Sequence, residues 1–414
     1  MQSTAVFQER TVATPATAVS QRRIESIDIL RGIVMVIMAL DHVRDYFHIG
    51  ANTDDPLNLA TTTPLLYFTR WITHFCAPIF IFLSGTSVYL QSLRKTRKEL
   101  GIFLLKRGGW LIVAEIVIIA FGWTFNPAMN IIPLQVIWAI GISMVILGLL
   151  VLIRVPYYGI LVLGAMLVMG HNLLDFPESA PGFRSNFWWD LFHHGHFITY
   201  EYAPNHVAML VYPFPPWTGL MMLGYCLGKL FTPQFSLQQR RKILVGLGLG
   251  SILFFIVLRF SNIYGDPAKW TEQKNFLYTF FSFIKLNKYP PSLLYLCVTI
   301  GPALLILPFL EQVRNWFTKV MVVFGRTAFF YYILHIYLIH LLAAIFFFAR
   351  GHSFEDAANV GSNFPFMFVA PGEGYSLGIV YLVWALVVIA LYPLCKKYDD
   401  YKTSHREKWM LSYL

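Results

Sequence analysis

The stretch Ile29-Leu30-Arg31-Gly32-Ile33-Val34-Met35-Val36-Ile37-Met38-Ala39-Leu40-Asp41-His42-Val43-Arg44-Asp45-Tyr46-Phe47 sets a cation and an imidazole inside a run that otherwise reads as a membrane-spanning helix. Arg31 and His42 are eleven positions apart. As helical steps, that spacing leaves them about 20° apart around the axis and about 16 Å apart along it, on one face. Ionisable groups at membrane depth are costly, so they face a bundle interior or a wet cavity and mark a substrate path. The plainer reading, a structural helix with a snorkelling Arg and a His satisfied by a neighbour, suits either residue alone. It suits less well the grouping of Arg31, Asp41, His42 and Asp45 on one helix.

Composition marks the chain as an integral membrane protein. Of 414 residues, 57% are hydrophobic and only 13% charged, whereas roughly a quarter are charged in soluble domains. The net charge of +10 does not point to nucleic acid, because the Lys and Arg residues sit in short loops between apolar runs, as the positive-inside rule requires. Cys76, Cys226, Cys297 and Cys395 stand singly in or beside apolar segments, without the spacing of a disulfide framework or a zinc site. Residues 1–23 are Thr-, Ala- and Gln-rich and lack the apolar core of a signal peptide. They are expected to form a disordered cytoplasmic tail before a transmembrane domain over 24–396, with a second cytoplasmic tail over 397–414.

Apolar stretches long enough to cross a hydrocarbon core of about 30 Å are expected at ten places: 29–48, 66–90, 109–125, 131–153, 156–173, 206–230, 243–262, 291–310, 328–349 and 375–394. The fold class is therefore an all-α integral membrane protein, one bundle of about ten transmembrane helices. With ten crossings, Arg22-Arg23, Arg94 to Lys98, Lys106-Arg107, Arg240-Arg241-Lys242, Arg314, Lys319, Arg326 and Lys396-Lys397 share one side. That side is the cytoplasm, and both termini lie there. The loops near 48–65 and 174–205 then face outward. The loop near 263–290, with Lys269, Lys274, Lys285 and Lys288, departs from the charge rule.

On this topology Arg31 lies at the cytoplasmic lip and His42 beyond the midplane. Phosphates held at Arg31 would let an extended arm reach His42, the geometry wanted by an enzyme that uses a cytoplasmic acyl donor on an outward-facing acceptor. An imidazole can accept a proton from a hydroxyl or amine near neutral pH, or attack an acyl group itself. Asp45 at i+3 can orient the ring, and Asp41 can pair with Arg44. Arg70 and His74 form an i,i+4 pair ahead of Pro78 and the run Phe82-Leu83-Ser84-Gly85-Thr86-Ser87, which reads equally as an anchor plus a packing seam. Glu115 needs a partner, an Arg being one solution. Gln135 and Trp138 can line a cavity or simply pack. His335 and His340 are five apart and cannot share one helix face; His335 is the better site candidate. The tract His193-His194-Gly195-His196 has no carboxylate or Cys at a recognisable ligand spacing, so no metal site is expected. Phosphate-cradling Gly loops are absent, which argues against ATP-driven transport.

Several of these segments together resemble a known family. Ser26-Ile27-Asp28-Ile29-Leu30-Arg31-Gly32, Pro78 through Ser87, Leu134-Gln135 with Gly141, Asn287-Lys288-Tyr289-Pro290-Pro291-Ser292, and Gly325-Arg326-Thr327 through His335 look like the heparan-alpha-glucosaminide N-acetyltransferase family in its bacterial form. Arg31 and His42 also match the R-x10-H motif of related membrane acyltransferases that decorate bacterial surface glycans. The resemblance implies a multi-pass enzyme of the bacterial inner membrane that moves an acetyl or other acyl group from cytoplasmic acyl-CoA to a hydroxyl or amine of a sugar or envelope glycan outside. Acyl-CoA is then a donor substrate rather than a resident cofactor. The partners are the bilayer, the donor and an unidentified acceptor, and a homodimer is compatible. The animal lysosomal members have Asn where His42 stands and their catalytic His farther along, so His48 stays open beside His42, the R-x10-H spacing favouring His42.

The expected site combines His42, Asp45 and His48 for catalysis with Arg31, Arg70, His74, Ser84, Gln135 and Arg326 for the donor. Asp28, Asp41, Glu115, Lys288 and His335 are further candidates. A transporter of a small polar or anionic metabolite along the same Arg, His and Glu path is the alternative.

Overall fold

The computed structural model describes residues 24–51, 53–194, 197–363, 366–405 and 407–412; the expected tail over 1–23 lies outside them. The opening stretch forms one unbroken helix, α1 (Glu25–Phe47), with Glu25 and Asp28 in its first turn and Arg44 in its last, charges that complement the helix dipole. The spacing of Arg31 and His42 is thus realised on a single axis.

A short α2 (Pro64–Ile72), capped by the Thr63 side chain, passes through a tight turn at Thr73–Phe75 into α3 (Cys76–Ser92). Pro78 explains the turn: it has no N–H for the carbonyl four residues back. That carbonyl, of His74, instead accepts the Tyr295 hydroxyl at 2.7 Å. Helix α4 (Arg97–Ala114) opens on a capping box of Thr96 and Glu99 and runs through a π-helical turn at Glu115–Ile119 into α5 (Ala120–Thr124). Next come β1 (Ile131–Leu134), α6 (Val136–Leu152), α7 (Tyr157–Gly170), the single turns α8 (Asp175–Glu178) and α9 (Phe187–Trp189), and the hairpin of β2 (Ile198–Ala203) and β3 (His206–Leu210). The second half holds α10 (Phe214–Leu227), α11 (Leu237–Ser261), α12 (Phe276–Ile284), α13 (Leu293–Leu310), α14 (Trp316–Arg326), α15 (Ala328–Ala349), α16 (Phe354–Asn363) and α17 (Leu377–Ser404).

Among the described residues six helical stretches are long and apolar enough to cross a membrane: Pro64–Ser92, Tyr157–Glu178, Leu237–Ser261, Leu293–Leu310, Ala328–Ala349 and Leu377–Ser404. The protein is mostly helical, but two of the expected spans begin too early. Ile131–Leu134 and His206–Leu210 are strands, paired in parallel, with β2 antiparallel on the other side of β3. Proline accounts for both corrections. Pro133 lacks a donor and sits on the edge strand, while Pro215 and Pro216 fix the first turn of α10 after the strand ends.

The bundle closes around α1, which packs against α3, α13, α14, α15 and α17. Its contact with α14 is backbone to backbone. A Cβ on Gly32 would lie 1.9 Å from the Met321 carbonyl oxygen, and one on Gly325 would lie 1.9 Å from that of Asp28. The motif residues Arg31-Gly32 and Gly325-Arg326 therefore meet in space, the close approach that small residues permit between membrane helices.

Candidate functional site

Asp41, His42, Arg44 and Asp45, on the last turns of α1, line a cavity of about 530 Å³ together with Arg70, Gln135 and Lys288. Thr53, Asp54 and Asp55, exposed in the loop after α1, and Phe197 before β2 stand at its mouth. The loop carrying Lys285 and Lys288 lies at this same end, with Lys285 Nζ 3.5 Å from Asp55 and the Tyr278 hydroxyl donating to the Thr62 carbonyl at 2.9 Å.

Within the cavity wall the charges are arranged in pairs. Asp41 lies between Arg44, at 3.0 Å, and Arg70, at 2.6 Å. Asp45 is held by Arg44 at 2.5 Å. Buried carboxylates need such partners, since an unpaired one would be left without its hydration. Lys288 Nζ stands 5.1 Å from the centre of the Tyr289 ring. Burial raises the pKa of the Tyr289 hydroxyl, but Lys288 and Arg70 lower it more, so its net shift is downward.

His42 is buried, with Nδ1 2.8 Å from His335 Nε2. The two imidazole planes are within 8° of each other with centres 4.9 Å apart, so the rings meet edge to edge rather than face to face. His335 Nδ1 in turn lies 2.9 Å from the Tyr331 carbonyl oxygen, one turn back on α15. The Trp123 ring stands edge-on to His42 at 4.7 Å. Asp45, the sequence's candidate at i+3 for orienting the imidazole, has its carboxylate engaged by Arg44, and the side chain that meets His42 Nδ1 is His335 of α15.

The other end of α1 carries a separate network. Arg31 reaches Asp28 at 3.2 Å, the Ser87 hydroxyl at 2.8 Å, and the carbonyls of Leu83 and Gly325 at 3.4 and 3.5 Å. Arg326 lies 3.8 Å from Asp28 and 3.6 Å from Asp399. On α1 the cavity reaches only to Met38, and Val34 and Met35 below it are buried in the core. Ser84 donates to its own helix at the Phe80 carbonyl, 2.8 Å away, so the hydroxyl that meets Arg31 is that of Ser87.

The remaining candidates are placed elsewhere. His74 is buried, its ring edge-on to Tyr295 at 5.3 Å, while Arg70 of the expected pair turns to Asp41 and Thr73. Among the described residues Glu115 has no Arg partner: its Oε2 accepts the Trp138 backbone N–H at 2.8 Å. It caps α6 from a neighbouring helix, at the end where four amides lack intrahelical acceptors. His48 ends α1 and its Nδ1 accepts the Gly50 N–H at 3.2 Å. In the histidine tract, His193 Nε2 lies 2.9 Å from Asp175 and 3.2 Å from Glu178, and His194 also meets Glu178. Gly195 and His196 fall outside the described residues.

Sequence reasoning missed the aromatic wall of the cavity, Trp123, Tyr212, Tyr289 and Tyr332, and the buried Cys76. Tyr289 alone carried a signal, standing inside the Lys288-Tyr289-Pro290-Pro291 segment.

Comparison with curated proteins gives no match. The family model described as heparan-alpha-glucosaminide N-acetyltransferase, catalytic, matches residues 23–260. The matched part holds Arg31, His42, Arg70 and Gln135, whereas Lys288 and His335 come after it. Because the match covers more than half of the 414 residues and includes the helix on which the cavity is built, the chain belongs to the heparan-alpha-glucosaminide N-acetyltransferase family.

Proposed function

We propose that this protein is a membrane acyltransferase that moves an acetyl or other acyl group from acyl-CoA, supplied at the Arg31 end of α1, to a hydroxyl or amine that enters the cavity at the His42 end. The bundle crosses the membrane ten times with both termini cytoplasmic, and in a bacterium it sits in the cytoplasmic membrane. One observation carries the reading: His42 lines the cavity on the same unbroken helix as Arg31, about 16 Å away, a distance an extended pantetheine arm can span. Family membership supports the transferase chemistry.

In the reaction the acceptor X–H gives its proton to His42 as X attacks the thioester carbonyl. The C–S bond breaks, and the CoA sulfur leaves with the proton. Arg70 and Gln135, which the sequence assigns to the donor, line the cavity at the His42 end, so in this reading Arg70 joins Asp41 and Arg44 in holding the cavity wall, and Gln135 with Lys288 contacts the acceptor. For the arm to reach His42, the side chains packed between Arg31 and Met38 must part. The transporter reading has less support, since it gives the family match no role.

The test uses purified protein in liposomes with labelled acetyl-CoA on one side and a panel of amino and neutral sugars on the other. Acceptor-dependent CoA release that disappears in His42→Ala is expected. Absence of both CoA release and thermal stabilisation by CoA in the wild-type protein would overturn the proposal.

A further inference from the structure

Resting on the reading of His42 as the proton acceptor, we propose that His335 is a positioning residue that fixes which nitrogen of His42 is basic, by a chain of hydrogen bonds that begins at the Tyr331 backbone carbonyl. A carbonyl oxygen can only accept, so the 2.9 Å contact between His335 Nδ1 and the Tyr331 oxygen places a proton on Nδ1. A neutral imidazole carries one N–H, so His335 Nε2 presents a lone pair. The 2.8 Å contact between that atom and His42 Nδ1 is then a bond donated by His42. His42 Nε2 is left with the lone pair, on a ring that lines the cavity.

The in-plane meeting of the two rings supports this assignment, because an imidazole lone pair lies in its ring plane and the planes differ by only 8°. Both rings are enclosed, with His42 8% exposed and His335 fully buried, so water does not compete for the inner nitrogens. The arrangement has the logic of an Asp-His pair with a neutral acceptor in place of the carboxylate. When His42 Nε2 takes the acceptor's proton, the Nδ1–H bond to His335 persists and spreads the charge over two rings. When the proton passes to the leaving sulfur, the chain returns to its starting tautomers with nothing gained or lost. The opposite tautomer of His42 would turn Nε2–H toward the cavity and leave no base there.

Three forms of the full-length protein test the chain: wild type, His335→Gln, whose side-chain oxygen can accept from His42 Nδ1–H, and His335→Phe, which fills the space without an acceptor. The readouts are nitrogen-15 spectra of histidine-labelled protein, with His42 assigned by difference against His42→Ala, and the kinetics of acetyl transfer. The wild type is expected to show His42 protonated at Nδ1. His335→Gln should keep that tautomer and turn over within about threefold of wild type. His335→Phe should show mixed tautomers and lower kcat by about tenfold or more, with the KM for acetyl-CoA little changed. A wild-type His42 protonated at Nε2, or a His335→Phe protein with unchanged tautomer and kcat, overturns the proposal. If His335→Phe does not fold, the wild-type and His335→Gln spectra decide. The spectra need no turnover, so a protein that shows the expected tautomers but transfers no acyl group would refute the acyltransferase reading and leave the chain standing.

Discussion

Asp41 joins α1 to α2 through Arg70, whose Nη1 stands 2.6 Å from Asp41 Oδ2. The other oxygen of the same carboxylate lies 3.0 Å from Arg44. Two guanidinium groups thus face one carboxylate in a buried wall, and the arrangement depends on the charge between them. Asp41→Ala should destabilise the protein by roughly 3–5 kcal/mol, the range for removing one partner from a buried pair. Thermal unfolding in detergent checks this, and a melting temperature equal to wild type would mean that the Arg side chains are solvated.

The catalytic assignment rests on position. His42 faces the cavity and His335, whereas His48 turns onto the Gly50 amide of its own turn. His42→Ala should lose acyl transfer by at least about a hundredfold, the lower range for a positioned general base, with folding and CoA binding kept. His48→Ala should lose much less. An exchange of the two effects would move the catalytic role to the end of the helix.

Topology can be read with thiol reagents in a background where the four native cysteines are replaced. The loop holding Asn58 is at the cavity end, while Arg97 follows α3 at the end where Arg31 meets Ser87. Asn58→Cys should react from outside, and Arg97→Cys only from the cytoplasmic side. The reverse pattern would place the donor outside.

The sequence made α1 legible because charged residues interrupt an apolar run at helical spacing, and the helix is continuous as that pattern requires. The strands were not legible. Ile131-Ile132-Pro133-Leu134 and His206 to Leu210 are short apolar runs, which periodicity cannot assign to helix or strand. Site residues that solve a charge problem stood out, and Asp41, Arg70 and Lys288 do gather at one cavity. Aromatic walls did not, because nothing in a helix sequence says which neighbour Trp123 or Tyr332 will face. Glu115 shows the same limit from the other side: its partner is the start of α6, backbone amides with no side-chain signature.

Arg31 serves two purposes on this reading, and a control separates them. Its guanidinium braces Asp28, the Ser87 hydroxyl and two carbonyls, so its removal loosens the α1, α3 and α14 contact. It is also the proposed contact for a CoA phosphate, where a planar fork can form paired charge-assisted bonds. Arg31→Ala should therefore weaken CoA binding by roughly tenfold or more, a charge-assisted bond being worth about 1.5–3 kcal/mol, and lower the melting temperature as well. Ser87→Ala removes one bracing bond and leaves the cation in place. It should lower the melting temperature slightly and leave CoA affinity close to wild type. Arg31→Lys should recover only part of the affinity, since a point charge lacks the fork. Isothermal titration of CoA into the folded proteins measures all three. Wild-type affinity in a well-folded Arg31→Ala sample would remove Arg31 from the donor site and leave it a purely structural clamp, and an equal loss of affinity in Ser87→Ala would trace the effect to helix packing.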